Sequence, residues 1–234
     1  MSQLAAAVQL SQKVADTLED MPDEVLLIAR AGQDLSVFGL TYSHAGFLVR
    51  TGDSWHVWHS VKACDKAEAS VYEEGLPNFF IDAPYRYATT LWRLAPSAQV
   101  ALRKALQTAE PPAKPYSLVA NPTRNQYANS NTWVARQFAK AFAPAPWHDD
   151  NLPQWLQETK YEPSVIQTDV PLWLAALVSP FIRADDQTET AYGVVTTATV
   201  DSNVSWISRQ GWCLDKTCKD SAITIEEPAP HSDE

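Results

Sequence analysis

Glycine and basic residues are scarce in this sequence, and each shortage weakens one class of function. Only seven of the 234 residues are glycine, and no glycine-rich loop suited to cradling a phosphate is present, so nucleotide binding has little support. Lys and Arg number 18 against 28 Asp and Glu, which gives a net charge of −10. This charge argues against nucleic acid, which is bound by neutralising phosphates, and against docking on anionic membranes.

Long apolar runs are also missing. A membrane-spanning helix needs roughly 18 to 20 apolar residues, and the longest candidate, 170–182, contains Pro171 and Pro180. We therefore expect no integral membrane segment. The N-terminus lacks the basic start and apolar stretch of a signal peptide. Two alternatives follow: the protein is cytoplasmic, or a leader peptide has been removed.

Cysteine is rare as well, with three residues in the chain. Cys213 and Cys218 flank a short loop and are close enough for a local disulfide, which would favour export; two separate thiols are the alternative. A zinc site built from these cysteines is not expected, because the sequence offers no second C-x-x-C pair. We expect neither a metal nor a cofactor.

What is present is typical of one globular domain. Hydrophobic residues make up 45% of the chain, and nine are Trp. A single domain over 1–225 can bury a sizeable core, and the acidic, Pro-containing tail 226–234 is predicted to be disordered. The Trp residues are interpreted as core anchors, with an aromatic-lined binding groove as the alternative.

Hydrophobic periodicity predicts a mixed α+β fold with an antiparallel sheet. Helices are predicted at 3–21, 97–110, 130–142, 152–161 and 171–181. Strands are predicted at 24–31, 39–50, 55–63, 89–94 and 192–207. The second and third strands flank the polar tip 51–54 and are expected to form a hairpin.

Three residues form the candidate chemical centre. His44 opens the first strand of the hairpin and His59 closes the second, so both lie at the same end of the sheet. They form either a structural pair bonded across the strands or a catalytic pair. Ser130 begins a helix, where the helix dipole and unpaired backbone N–H groups can stabilise an oxyanion. A simple helix cap is the alternative for Ser130.

These residues carry a family resemblance. The segment 42–47 (YSHAGF), with a hairpin ending in 57–59 (VWH), resembles the His motif of NlpC-type papain-like hydrolases. The helix that opens with 129–134 (NSNTWV) follows the hairpin instead of preceding it, which resembles the circularly permuted branch that contains the lecithin–retinol acyltransferase-like proteins. The resemblance implies a permuted papain-like core at about 24–143, with additions at 3–21 and 145–225.

Most of the chain between residues 5 and 210 also resembles a bacterial family of exported proteins of unknown function. The likeness is carried by 31–36 (AGQDLS), 42–44 (YSH), 74–80 (EGLPNFF), 127–134 (YANSNTWV) and 200–202 (VDS). It implies a periplasmic or secreted protein in which Met1 stands in for a removed signal peptide.

The papain-like resemblance implies hydrolysis of an amide or ester, or acyl transfer, with Ser130 as nucleophile, His44 as base and His59 orienting it. Cell-wall peptides or acyl esters are the substrates that the analogy suggests. Papain-like enzymes usually carry Cys at the position of Ser130, and a hydroxyl needs the base to take its proton during attack. A silent site kept for binding a peptide, glycan or protein, and a serine that replaces a native cysteine, are the alternatives.

Further candidates surround this centre. Cys64 is either a rival nucleophile or a free thiol. Tyr42 and Asn129 flank the site and are candidate donors to an oxyanion. Glu74 and Asp34 are candidate acids for orienting His59, or solvated carboxylates.

Overall fold

The computed structural model describes residues 3–64, 66–82, 84–108, 110, 113–187 and 193–227, which form an α+β fold. The strands are β1 (Val25–Arg30), β2 (His44–Thr51), β3 (Ser54–Lys62), β4 (Ala69–Gly75), β5 (Ala88–Arg93), β6 (Ser164–Gln167), β7 (Val194–Thr197) and β8 (Ala222–Glu226). The α-helices are α1 (Gln3–Leu18), α2 (Leu76–Ile81), α3 (Pro96–Leu106), α4 (Ser130–Phe142), α5 (Leu152–Glu158), α6 (Leu172–Val178) and α7 (Val200–Arg209).

A six-stranded antiparallel sheet of order β4-β3-β2-β1-β5-β8 organises the molecule. The predicted hairpin of β2 and β3 lies inside this sheet, with Gly46 opposite His59. Strands β1 and β2 pair so that Arg30 lies opposite His44. A separate two-stranded sheet joins β6 and β7.

Side chains alternate between the two faces of the sheet and so build two cores. On one face Phe47 packs against Trp133 and Phe138 of α4, in a core that α3 also joins. On the other face Leu48 packs in a core with Phe79, built from α1 and α2. The predicted N-terminal helix thus covers one face of the sheet.

The tryptophans mainly anchor the first core. Trp206 is fully buried, its ring 5.4 Å from that of Trp155, and Trp212 stacks on Phe142. The cavity described below has no Trp among the described residues that line it. The core interpretation is therefore confirmed for this cluster.

The region 192–207 is mostly not the strand that its Val and Thr content predicts. Strand β7 ends at Thr197, and helix α7 follows, while Tyr192 lies outside the described residues. The reason is a capping box. The Thr199 side chain accepts from the backbone N–H of Ser202, and the Ser202 hydroxyl accepts from the N–H of Thr199. This local bonding starts a helix and overrides β propensity.

The C-terminal region corrects one prediction, on the start of the tail, and confirms another, on the disulfide. Glu226, predicted to begin a disordered tail, ends β8 and pairs with Ala88. Residues 228–234 of that tail lie outside the described residues. Cys213 and Cys218 form the expected local disulfide, with their Cα atoms 5.1 Å apart.

Within the described ranges no helix is both long and apolar enough to cross a bilayer.

Candidate functional site

The hairpin brings the two histidines into direct contact. His44 begins β2 and His59 lies near the end of β3, and their Nε2 and Nδ1 atoms are 2.8 Å apart. Gly46 permits this approach, because a Cβ there would lie 2.6 Å from the carbonyl oxygen of Trp58 and 2.9 Å from the Cβ of His59. The two rings meet edge to face, with centroids 5.1 Å apart.

A carboxylate extends this pair. Glu74 lies opposite Val57 in the register of β3 and β4, and its Oε2 atom is 3.2 Å from Nε2 of His59. Glu74 is therefore in the position expected of an orienting acid. Asp34 is not, because its carboxylate accepts from the backbone N–H of Ser36 instead.

With the carboxylate of Glu74 ionised, the two hydrogen bonds of the chain Glu74–His59–His44 require one order of protons. An ionised carboxylate only accepts, so His59 donates to it from Nε2 and keeps a lone pair on Nδ1. That lone pair accepts from Nε2–H of His44, which leaves the lone pair of His44 on Nδ1. No hydrogen bond of this Nδ1 occurs within the described part of the chain. The arrangement presents His44 Nδ1 as a base.

Both imidazoles are held neutral. Burial, reinforced by Arg30 and His59, lowers the pKa of His44 well below its usual value. Burial also lowers the pKa of His59, and this effect is only partly offset by Glu74. Phe79 supplies much of the apolar wall, with its ring centroid 5.7 Å from that of His44 and 5.3 Å from that of His59.

Ser130 begins α4 at the same end of the sheet but on the opposite face. The Asn131 side chain donates to the backbone oxygen of Ser43 at 3.4 Å, which ties the start of α4 to the start of β2. Ser130 is 5% exposed. Its hydroxyl makes no hydrogen bond with a described residue, His44 included. Ser130 and His44 therefore line the same cavity but share no hydrogen bond.

One large cavity joins these groups. It has a volume of about 1080 Å³ and is lined by both Ser130 and His44. Its wall also includes the charged residues Arg30 and Lys62. Apolar side chains complete the wall, among them Leu35, Phe38, Leu118, Leu172 and Ile182. The cavity has the size of a small-molecule or peptide site.

Two candidate oxyanion donors are engaged elsewhere, which corrects that expectation. The Tyr42 hydroxyl is 2.6 Å from the hydroxyl of Thr90 inside the core. The Asn129 side chain accepts from the N–H of Thr132 and donates to the oxygen of Leu118. Asn129, and not Ser130, is therefore the helix cap.

Cys64 and metal binding have little structural support. Cys64 is an exposed free thiol outside the cavity wall. Across the residues that the structure describes, no three His, Cys, Asp or Glu side chains are grouped to hold a metal ion. Glu74, His59 and His44 bond to one another in a row and do not converge on a point.

Comparison with known proteins gives a family. Residues 17–207 match the family model described as an uncharacterized protein conserved in bacteria (DUF2145). The chain belongs to this family. No curated protein matches it.

One solved structure is loosely similar to this DUF2145 protein. It is the metalloprotein yiiX from Escherichia coli O157:H7, described as DUF1105, with 13% sequence identity and a TM-score of 0.47. The similarity covers 89% of this chain and 99% of that one.

Proposed function

We propose that this DUF2145 protein is a permuted papain-like hydrolase or acyl transferase that cleaves an amide or ester through a covalent acyl-serine at Ser130. The observation that carries the proposal is the chain Glu74–His59–His44, which ends on the cavity that Ser130 also lines. A neutral histidine with an oriented lone pair is the group that a serine nucleophile needs.

The first step is attack on the substrate carbonyl. The Ser130 hydroxyl oxygen forms a bond to the carbonyl carbon while its proton passes to Nδ1 of His44. The imidazolium so formed is stabilised by His59 and by the carboxylate of Glu74. Catalytic hydrogen bonds are often long in a protein without substrate and shorten in the complex. Because the His44 ring packs on Phe79 and Ser130 lies on the other face of the sheet, the proposal requires this ring to turn toward Ser130 when the cavity is filled.

The negative charge of the tetrahedral intermediate falls on the former carbonyl oxygen. The first N–H groups of a helix have no intrahelical partner, and in the described chain those of Ser130 and Asn131 make no hydrogen bond outside α4. These two N–H groups, together with the positive end of the dipole of α4, replace the side-chain donors expected from Tyr42 and Asn129.

The intermediate then collapses to the acyl-serine. The bond to the leaving amine or alcohol breaks, and His44 returns its proton to that group. In the second half of the reaction a water molecule, or an acceptor alcohol or amine, attacks the carbonyl carbon of the acyl-serine while His44 takes its proton. Attack by water gives hydrolysis, and attack by the acceptor gives acyl transfer. The oxygen of Ser130 then takes the proton back.

The site also fits an exported protein that acts on a cell-wall peptide or an acyl ester. The disulfide of Cys213 and Cys218 supports this location, because disulfides persist in oxidising compartments. The cavity wall carries both apolar and charged side chains, which suits a substrate that has an apolar and a polar part.

A binding module for a peptide, glycan or protein is the second candidate. The specific observation in its favour is that Ser130 and His44 lie on opposite faces of the sheet and share no hydrogen bond. In that case the cavity holds its ligand without chemistry, and Ser130 only begins the helix.

Covalent labelling by a fluorophosphonate separates the two candidates. We expect stoichiometric labelling of the wild-type protein, none of Ser130→Ala, and unchanged labelling of Ser60→Ala, which removes another buried serine of the same cavity. His44→Ala should slow labelling by about a hundredfold or more, the usual contribution of a general base.

A cysteine variant sharpens the test. Ser130→Cys restores the usual papain-like nucleophile, so it should react with iodoacetamide faster than the exposed Cys64 does. Labelling that is absent from wild type, or that survives Ser130→Ala, would favour the binding module.

A further inference from the structure

Arg30 is a buried cation at this site that the proposed chemistry does not use. It is the last residue of β1, is 5% exposed, and lines the same cavity as His44 and Ser130. It is also the direct cross-strand partner of His44. Paired residues on neighbouring strands have Cβ atoms about 4.5 to 5.5 Å apart, so the guanidinium group lies beside the proposed base.

Most of the donors of Arg30 are unused. Its Nη2 atom donates to Oδ2 of Asp82 at 2.9 Å. Its Nε and Nη1 atoms are buried and have no hydrogen-bond partner in the described chain. Buried donors without partners are costly, and a guanidinium group stays charged in a protein. The arrangement is therefore incomplete unless another acceptor binds.

The guanidinium group of Arg30 is held in place from two sides. The guanidinium carbon lies 5.4 Å from the ring centroid of Phe79, which supports the group from one side. Gly32, another residue of the cavity wall, has no side chain, and a Cβ there would lie 3.5 Å from Nη1. A Cβ at this position would also lie 2.7 Å from Oγ of Ser43, so the glycine lets Ser43 and the backbone pack closely around the guanidinium group.

Asp82 does not complete the site, because its side chain is 80% exposed whereas that of Arg30 is 6% exposed. An ion pair with one partner in water contributes little. Asp82 can swing into solvent and release Nη2 at small cost. The freed Nη2 would then be able to donate to a carboxylate or phosphate oxygen, the acceptors that a guanidinium group binds best.

We propose that Arg30 binds an anionic oxygen group of the substrate, a carboxylate or a phosphate. Its place beside the reacting bond rests on the proposed function, because it follows from the pairing of Arg30 with His44. The binding of the anion itself does not depend on catalysis. The substrate class is thereby narrowed to acyl compounds that carry a negative charge close to the scissile bond, such as a peptide cleaved near its terminal carboxylate.

Binding can be measured without turnover in the Ser130→Ala protein. The probes are acetate, inorganic phosphate and, as a neutral control of similar shape, acetamide. The ¹H–¹⁵N signal of the Arg30 Nε–H group reports occupancy directly. We expect a saturable shift with acetate, with phosphate or with both, and none with acetamide. Acetate alone indicates a carboxylate substrate, and phosphate alone indicates a phosphate ester.

Two variants make the test specific. Asp82→Asn removes the competing charge from an exposed side chain and should tighten binding of the effective anion about two- to fivefold. Asp169→Asn, which removes the same charge elsewhere on the cavity wall, should change the affinity less. Arg30→Gln should abolish binding, and Arg30→Lys, which keeps the charge but loses the fork, should weaken it.

The inference is overturned if neither anion shifts the Arg30 signal in either the parent or the Asp82→Asn protein, or if acetamide shifts it equally. These readings do not depend on Arg30→Gln folding. Anion binding without fluorophosphonate labelling would leave the Arg30 site intact and remove the hydrolase proposal. Labelling without anion binding would remove the proposal for Arg30 and leave the hydrolase proposal intact.

Discussion

Replacing Gly46 by alanine should separate the two strands that hold the histidines. The added Cβ would lie 2.6 Å from the oxygen of Trp58 and 2.9 Å from the Cβ of His59, whereas non-bonded carbon atoms normally approach to about 3.5 to 4.0 Å. Neither contact involves a flexible side-chain end, so the backbone must move. Overpacking of this kind costs about 1 to 3 kcal/mol.

For a domain of this size that cost lowers the melting temperature by about 2 to 12 °C. Thermal unfolding followed by circular dichroism measures it. The matched control is Gly75→Ala, because the nearest atom to a Cβ there is Cδ of Pro77 at an ordinary 3.7 Å. Gly75 also caps α2, where alanine is less favourable than glycine, so this variant should lose at most about 1 kcal/mol. Equal melting temperatures for Gly46→Ala and Gly75→Ala would refute the close packing of β2 on β3.

Four further predictions concern proton transfer and stability. Because the pKa of His44 is lowered from 6.5, the rate of fluorophosphonate labelling should stay constant between pH 8 and pH 6.5 and should fall only at lower pH. If the labelling rate is half-maximal at pH 6.5 or above, His44 is not a buried neutral base. The same depressed pKa contributes stability that is present above pH 6.5 and is lost as the pH falls through the lowered value, which urea unfolding between pH 7 and 5 checks. Glu74→Gln should slow labelling about tenfold or more, because the amide no longer fixes the imidazole tautomers. Glu73→Gln, which changes the exposed neighbour, should not slow it. Equal labelling rates for the two variants would show that Glu74 does not orient the histidines. Replacing Cys213 and Cys218 together by Ser should cost about 2 kcal/mol of unfolding free energy, as expected for so short a closed loop, and unchanged urea midpoints would show that the disulfide has no stabilising role.

Local signals predicted the elements that carry the site. Helix α4 begins at Ser130 as expected, because Asn129 and Thr132 form a capping box next to an apolar stripe. The hairpin was visible from its polar tip. Strand β4 and helix α2 were not predicted, because 69–75 is mixed in polarity and α2 is only six residues long. The secondary structure of these two segments depends on their packing against β3, which is a tertiary effect.

The histidine pair could be predicted from the sequence, but its surroundings could not. Residues 44 and 47 are three apart, so strand alternation places His44 and Phe47 on opposite faces. Which of those faces α4 covers depends on long-range packing. Arg30 was missed for a related reason, since only the pairing of β1 with β2 places it opposite His44.

The most direct test of the proposed nucleophile is a crystal structure of the protein after reaction with a fluorophosphonate. We predict a covalent bond from phosphorus to the Ser130 oxygen, with Nδ1 of His44 within about 3.2 Å of that oxygen and His59 still bonded to Glu74. A phosphonate on another residue, or a His44 ring that stays on the face of Phe79 beyond hydrogen-bond reach of Ser130, would contradict the account.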